Sequence, residues 1–257
     1  MAFAAFDFAL LGSPLVAGLL VLATHIPLGR RVLTRGIVFL DLAIAQFAGL
    51  GVIIAHVVGW ETGWHVQATA FAAALGGALL LAACDRRWPA RQEALIGSSF
   101  VVVASLVTLL MASDPHGGEA MQNLLIGQIL WATDAQLALA AAITVLIALA
   151  WRPLVVRGRP GSVGFYALFA LAITASVQLV GIYLVFASLI LPALATLEQE
   201  GNWLPVSFLI GLMGYAGGLI LSVLTDWPTG PAIVVMLAGV SALTVGGRWV
   251  ALRGAWR

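Results

Sequence analysis

Asp41 is the only charged residue between Arg35 and Glu61, and apolar residues surround it. A carboxylate within a hydrocarbon-soluble run is costly, and such residues usually belong to a functional path. A carboxylate near the membrane surface can also cap a helix start. Both readings stand for Asp41. Gln46 and Gln178 are neutral amides inside apolar runs, and Ser188 lies in the same charge-free stretch as Gln178. These are candidate polar steps along a path, or simply bonds to a neighbouring helix.

A second set of residues has the chemistry of cation ligands. Asp114-Pro115-His116-Gly117-Gly118-Glu119 is the densest cluster, and His56, His65, Glu61 and Asp226 fall in or beside other short polar segments. Imidazole and carboxylate suit divalent transition metals. Asp-Pro and Gly-Gly are also turn signals, so a solvated loop is the competing reading. Either way, acids gathered at one mouth concentrate cations there. His116, Asp114, Glu119 and Asp226 are the candidate metal-receiving residues.

Helices across a bilayer must position these groups. Apolar residues make up 62% of the 257-residue chain and charged residues 9%. A soluble domain carries about 25% charged residues. The whole chain, residues 1–257, therefore reads as a single transmembrane domain. The basic residues are all arginine and fall in four clusters: Arg30, Arg31 and Arg35; Arg86, Arg87 and Arg91; Arg152, Arg157 and Arg159; Arg248, Arg253 and Arg257. The positive-inside rule puts all four on the cytoplasmic side.

A spanning helix needs about 20 apolar residues. Runs near 8–28, 37–58, 67–84, 95–112, 135–151, 204–224 and 230–247 fit. The charge-free segment 160–197 would measure about 57 Å as one helix, against about 30 Å of hydrocarbon. It should hold two short crossings, with a break near Gln178–Gly181. The expected fold is all-α, a bundle of about nine crossings with the N-terminus outside and the C-terminus cytoplasmic. Eight crossings, with 160–197 as one tilted helix, is the alternative. The continuous hydrophobicity does not suit a β-barrel. Gly211, Gly214, Gly217 and Gly218 read as close helix packing, with a dimer face as the second possibility.

Some chemistries are excluded. Cys84 is the only cysteine, so neither an intrachain disulfide nor a thiolate cluster can form. It reads as a small buried hydrophobe. There is no phosphate-binding loop, no lysine, no HExxH and no Gly-x-Ser-x-Gly. No catalytic residue is expected. The N-terminal stretch carries Asp7 in place of a basic region, so it reads as a retained helix rather than a cleaved signal.

Several stretches resemble one family. They are Thr24-His-Ile-Pro-Leu-Gly-Arg-Arg through Val52, with Phe39-Leu-Asp-Leu-Ala-Ile-Ala-Gln-Phe-Ala-Gly-Leu-Gly inside it; Asn123-Leu-Leu-Ile-Gly-Gln-Ile-Leu; Val177-Gln-Leu-Val-Gly-Ile-Tyr-Leu-Val-Phe-Ala-Ser-Leu-Ile-Leu-Pro-Ala-Leu-Ala-Thr; and Pro228-Thr-Gly-Pro. In order and content these are similar to the permeases of the zinc, manganese and iron ABC importers, the ABC-3 family. The resemblance implies a permease of cobalamin-importer-like architecture in the bacterial inner membrane. It also implies a separate ATPase subunit that hydrolyses ATP, an outer metal-binding protein, a second permease chain (a homodimer), and a divalent cation, zinc or manganese, as cargo. No cofactor is permanently bound.

The chain departs from the family twice. The family's second helix reads Gly-Asp-Ala-x-Ser-His-Ala; here Asp41 is kept, but Ala45 and Gln46 occupy the Ser-His region. The family's helix that docks the ATPase is replaced by Arg152-Pro-Leu-Val-Val-Arg-Gly-Arg-Pro-Gly, whose prolines and glycines argue against a helix. Docking then falls to Arg86, Arg87 and Glu93, to Arg157 and Arg159, or to the segment Glu198–Trp203. A gradient-driven metal transporter and a non-transporting scaffold subunit are the alternative functions.

Overall fold

The computed structural model describes residues 9–60, 63–112, 122, 124–157 and 162–254. Among the described residues there are nine α-helices and no strand. They are α1 (Ala9–Arg35), α2 (Leu40–Val57), α3 (Trp64–Arg87), α4 (Gln92–Met111), α5 (Asp134–Trp151), α6 (Val163–Val180), α7 (Ile182–Ala195), α8 (Trp203–Thr225) and α9 (Thr229–Gly254). All but α7 are long and apolar enough to cross a membrane.

The helices begin where local chemistry allows. Thr133 and Gln136 form a capping box at α5: the Gln136 amide donates to the Thr133 hydroxyl, and the Thr133 amide donates to Gln136 Oε1. Ser162 caps α6 by accepting from the Phe165 amide.

Contacts between helix ends show how the chain threads. Arg30, late in α1, donates to the carbonyls of Thr196 and Gln199 just beyond α7. Arg35 pairs with Asp85 near the end of α3, and Gln92 at the start of α4 donates to Tyr166 near the start of α6. Arg248 of α9 reaches the carbonyl of Ala195. These contacts gather the described arginines at one end of the bundle, the arginine end. At the opposite end Ser222 of α8 meets Thr229 of α9, and Gly127 meets Gly181.

The segment that sequence length alone would overfill is broken at one residue. α6 leaves the arginine end, Gly181 turns the chain, and α7 returns to the arginine end at Thr196. Gly181 has φ 79° and ψ 163°, a backbone region almost confined to glycine. A β-carbon there would also strike the backbone of Ile126 and Gly127. Gly127 itself has φ 74° and presses on Val180. The two glycines thus let the 124–131 segment dock edge-on against the break. Its described part folds back onto the bundle, with Ile129 buried.

The helices run further than apolar length predicts. Arg30, Arg31 and Arg35 sit on the last turns of α1, and Arg86 and Arg87 on the last turn of α3, rather than in loops. Guanidiniums favour helix C-termini, and their stems can lie along apolar surface while the heads reach water. The helix does not continue from Arg35 to Asp41, because Gly36 at φ 69° turns the chain. Residues Arg152–Val156 are also helical, against expectation: they extend α5 as a π-helical turn in which the Arg157 amide donates to the Arg152 carbonyl. Pro153 lacks the amide that an α-turn would use there, and the wider turn accommodates that loss. Cys84 is half-buried rather than fully buried.

Small residues set the core spacing. Gly211 receives Leu22 of α1, and Gly214, Gly217 and Gly218 receive Leu237, Met236 and Ile233 of α9. All four expected packing glycines therefore face helices of the same chain. Ser188 of α7 shares a 2.8 Å hydrogen bond with Tyr215 of α8.

Candidate functional site

Asp41 lies in the first turn of α2, 1% exposed, among the buried residues Leu40, Ala43, Ile44 and Ala45. Neither carboxylate oxygen has a hydrogen-bonding side chain; the amides of Asp41 itself and of Leu42 are the polar groups that act on it. A buried carboxylate without a partner in a spanning helix is costly, although the first turn is the end of a helix where a carboxylate is best tolerated. The one ion pair among the described residues is that of Arg35 with Asp85, so none offsets this cost. Gln46 follows on the same helix, 6% exposed and about 7 Å further along it.

At the far end of α2, a cavity of about 310 Å³ opens between α2, α5, α6 and the 124–131 segment. Its polar lining is His56, Gln128, Gln136 and Gln178, framed by Trp60 and Trp131. The Gln178 side-chain nitrogen is buried here without a partner. His56 stands about 22 Å from Asp41 along the helix axis. The two candidate polar centres thus share one helix and occupy opposite ends of it. A cavity of amide oxygens and imidazole can replace water around a cation without fixing it, whereas Asp41 offers a carboxyl group that can ligate a cation when ionised.

The other sequence candidates separate. Ser188 is fully buried, and its hydroxyl is taken up by the Leu184 carbonyl and Tyr215. Asp226 is exposed, in the left-handed conformation at φ 55°, and borders a second cavity of about 670 Å³ at the same end, with Gln128, Trp131 and Thr229. Asp114, His116 and Glu119 lie outside the described residues, as do Asp7, Glu61, Arg159 and Arg257; the side chain of Arg253 is not described either. His65 is packed between Trp64 and Trp60.

At the arginine end, Arg86 folds back toward the Ala82 carbonyl, and Arg87 lies over Trp88. Arg157 is exposed just after the π-helical turn. Glu93 accepts from the Phe39 amide at 3.4 Å, tying α4 to the start of α2.

Sequence reasoning missed a polar cluster that closes this end. Asp85 Oδ2 accepts from Arg35 at 2.9 Å and from the Tyr166 hydroxyl at 3.2 Å, while Gln92 donates to Tyr166 at 2.6 Å. Arg35 also lies over the ring of Phe165. One cluster therefore joins α1, α3, α4 and α6. Gln128 and Gln136 were missed as well. Both lie in segments read for other reasons: the fold-back of 124–131 brings Gln128 to Gln178, and the packing of α5 on α6 brings Gln136 there. His25 went unnoticed too: it is fully buried in α1, with Nδ1 near Thr24 and the Val21 carbonyl and Nε2 unpartnered.

Spanning helices around a buried carboxylate, with a polar cavity at one end and a closing cluster at the other, define a multi-pass membrane transport protein. The family model described as "ABC 3 transport family" matches residues 7–158 and 159–246, and the chain belongs to that family. It is 26% identical over 263 aligned residues to the manganese transport system membrane protein MntC of Halalkalibacterium halodurans, covering 92% of this chain and 87% of that one. PsaBC from Streptococcus pneumoniae, solved in complex with a Fab, has a similar fold: TM-score 0.73, 19% identity, 93% of this chain and 91% of that chain. An ABC transporter of metal-chelate type in an inward-facing conformation also matches, with TM-score 0.69, 14% identity and coverage of 96% and 91%.

Proposed function

We propose that this chain is the permease subunit of an importer for a divalent transition metal, zinc or manganese, energised by a separate ATPase. The observation that carries the reading is Asp41, buried in a spanning helix with no side-chain partner. An unpaired carboxylate there is hard to explain as packing and well suited to a passing cation. Family membership and the relative's name support the cargo class.

The arginine end faces the cytoplasm by the positive-inside rule, with the N-terminus outside and the C-terminus inside. The cavity at His56 and Gln178 then opens outward. An outer binding protein delivers the cation near Asp226 and the Asp114–Glu119 loop. The cation passes the glutamines, moves along α2 past Gln46, and meets the Asp41 carboxylate. The Arg35–Asp85–Tyr166–Gln92 cluster lies on the cytoplasmic side and must rearrange before release. The ATPase docks at the exposed cations Arg86, Arg87 and Arg157, with Arg159 and Glu93 beside them. Two copies of the permease assemble with two ATPases, and nucleotide-driven movement alternates access.

Uptake of manganese and zinc by cells carrying Asp41→Asn, at matched membrane expression, tests the reading. The expected result is a loss of at least tenfold, with partial retention in Asp41→Glu. Full uptake by Asp41→Asn would remove the carboxylate from the path. Uptake that continues when the partner ATPase is inactivated would replace the ABC reading with a gradient-driven one.

A further inference from the structure

A second concavity, unrelated to the polar cavity, lies at the arginine end. It has a volume of about 620 Å³. α1 forms its floor and α5 and α8 its walls; both walls pack on α1 but scarcely touch each other. The gap therefore opens sideways, toward the bilayer.

Its lining changes character with depth. Arg30, Arg31, Thr34, Trp151 and Trp203 surround the mouth. Ala23, Pro27, Ile147 and Ala148 line the shaft together with Thr24 and Thr144, whose hydroxyls donate to the Val21 and Ala140 carbonyls of their own helices. From Ala23 to Thr34 the floor runs about 16 Å along α1. That is about half of a 30 Å hydrocarbon core, the depth of one leaflet.

The charge at the mouth is uncompensated. Arg30 stacks 4.5 Å over the Trp203 ring and donates to two backbone carbonyls, neither of which neutralises it. Arg31 is exposed, and no described acidic residue pairs with it. Glu198 and Glu200 are exposed in the following loop, but neither lines the groove. Tryptophans beside arginines at a helix end belong to the headgroup level of a membrane.

We infer that this groove is a binding site for an anionic phospholipid of the leaflet at the arginine end, its phosphate held by Arg30 and Arg31 and one acyl chain laid along Pro27 and Ala148. The charge selects an anionic headgroup, and the apolar shaft selects a lipid over a free anion. A second copy of the chain fits the groove less well. Two-fold packing about the membrane normal keeps both arginine ends at the same level, which places cation against cation. The inference requires only that the chain spans a membrane, and it stands or falls separately from the metal reading.

The test is native mass spectrometry of the purified full chain, titrated with phosphatidylglycerol or phosphatidylcholine of identical acyl chains. Arg30 is left intact because it also holds the end of α7. The wild type should prefer phosphatidylglycerol. Arg31→Gln should weaken that lipid about fivefold, the effect of one arginine near a headgroup, and leave phosphatidylcholine unchanged. Arg31→Lys should retain the preference. Ala148→Trp, at an exposed position that tolerates bulk, fills the shaft and should abolish the tightest adduct. An unchanged preference in Arg31→Gln would overturn the inference. So would an unchanged tightest adduct in Ala148→Trp, displacement of the lipid by millimolar inorganic phosphate, or cysteine cross-linking of a second copy across the groove.

Discussion

Replacing Gly181 with alanine should destabilise the whole bundle, because one residue carries the reversal between α6 and α7. Two costs combine. The backbone at φ 79° and ψ 163° is close to forbidden for any residue with a β-carbon, and holding it there costs on the order of 1–3 kcal/mol. The new methyl would also meet the backbone of Ile126 and Gly127, which cannot swing aside as a flexible side-chain tip could. Forcing an extra carbon into a packed interior adds about 1–3 kcal/mol. The expected loss is therefore about 2–6 kcal/mol, measured by reversible unfolding of the purified chain in mixed micelles. Gly239→Ala is the matched control. It lies on α9 with nothing within 4 Å of the added carbon, and it should be neutral or stabilise by up to about 1 kcal/mol through helix propensity. The double variant Gly127→Ala/Gly181→Ala should not restore stability, since each methyl collides with the other residue's backbone. If Gly181→Ala unfolded like the wild type, the docking of 124–131 against the break would be wrong. The cavity lined by His56 and Gln178, which depends on that docking, would be wrong with it.

Other consequences are sharper in uptake or in pair coupling. Arg35→Gln and Asp85→Asn should each cost about 1–3 kcal/mol, because the pair is only 21% and 12% exposed and each loss strands a charge; the double variant should cost less than the sum, read from a double-mutant cycle. Ser188→Ala and Tyr215→Phe should each cost about 0.6 kcal/mol, the usual size of an interhelical hydrogen bond in membranes, and should not be additive. Gln178→Leu removes the partnerless amide nitrogen from the cavity beside His56 and should lower metal uptake while leaving unfolding stability unchanged or raised. Gly29→Ala should separate α1 from α7, because its β-carbon would strike the Leu189 carbonyl, and thermal stability should fall by at least as much as for Ser188→Ala.

The sequence by itself determined the all-α class and the apolar segments that form the helices. Arginine clusters separated by apolar runs leave few threadings, because guanidinium is costly in hydrocarbon and apolar length is bounded by bilayer thickness. The charge-free stretch 160–197 had to break for the same reason, and Gly181 is the residue within the expected interval that can adopt the conformation of the break. Asp41 was legible because a lone carboxylate in an apolar run stands out without any knowledge of its neighbours. Only the tertiary structure decided which polar groups meet. Asp85 is 50 residues from Arg35 and 81 from Tyr166, and no local period encodes those pairings. The fold-back of 124–131 rests on two glycine backbones touching, a contact that has no side-chain signature in sequence. The groove over α1 exists only because α5 and α8 both lean on α1 without closing on each other, a property of helix packing angles that hydrophobic pattern leaves open.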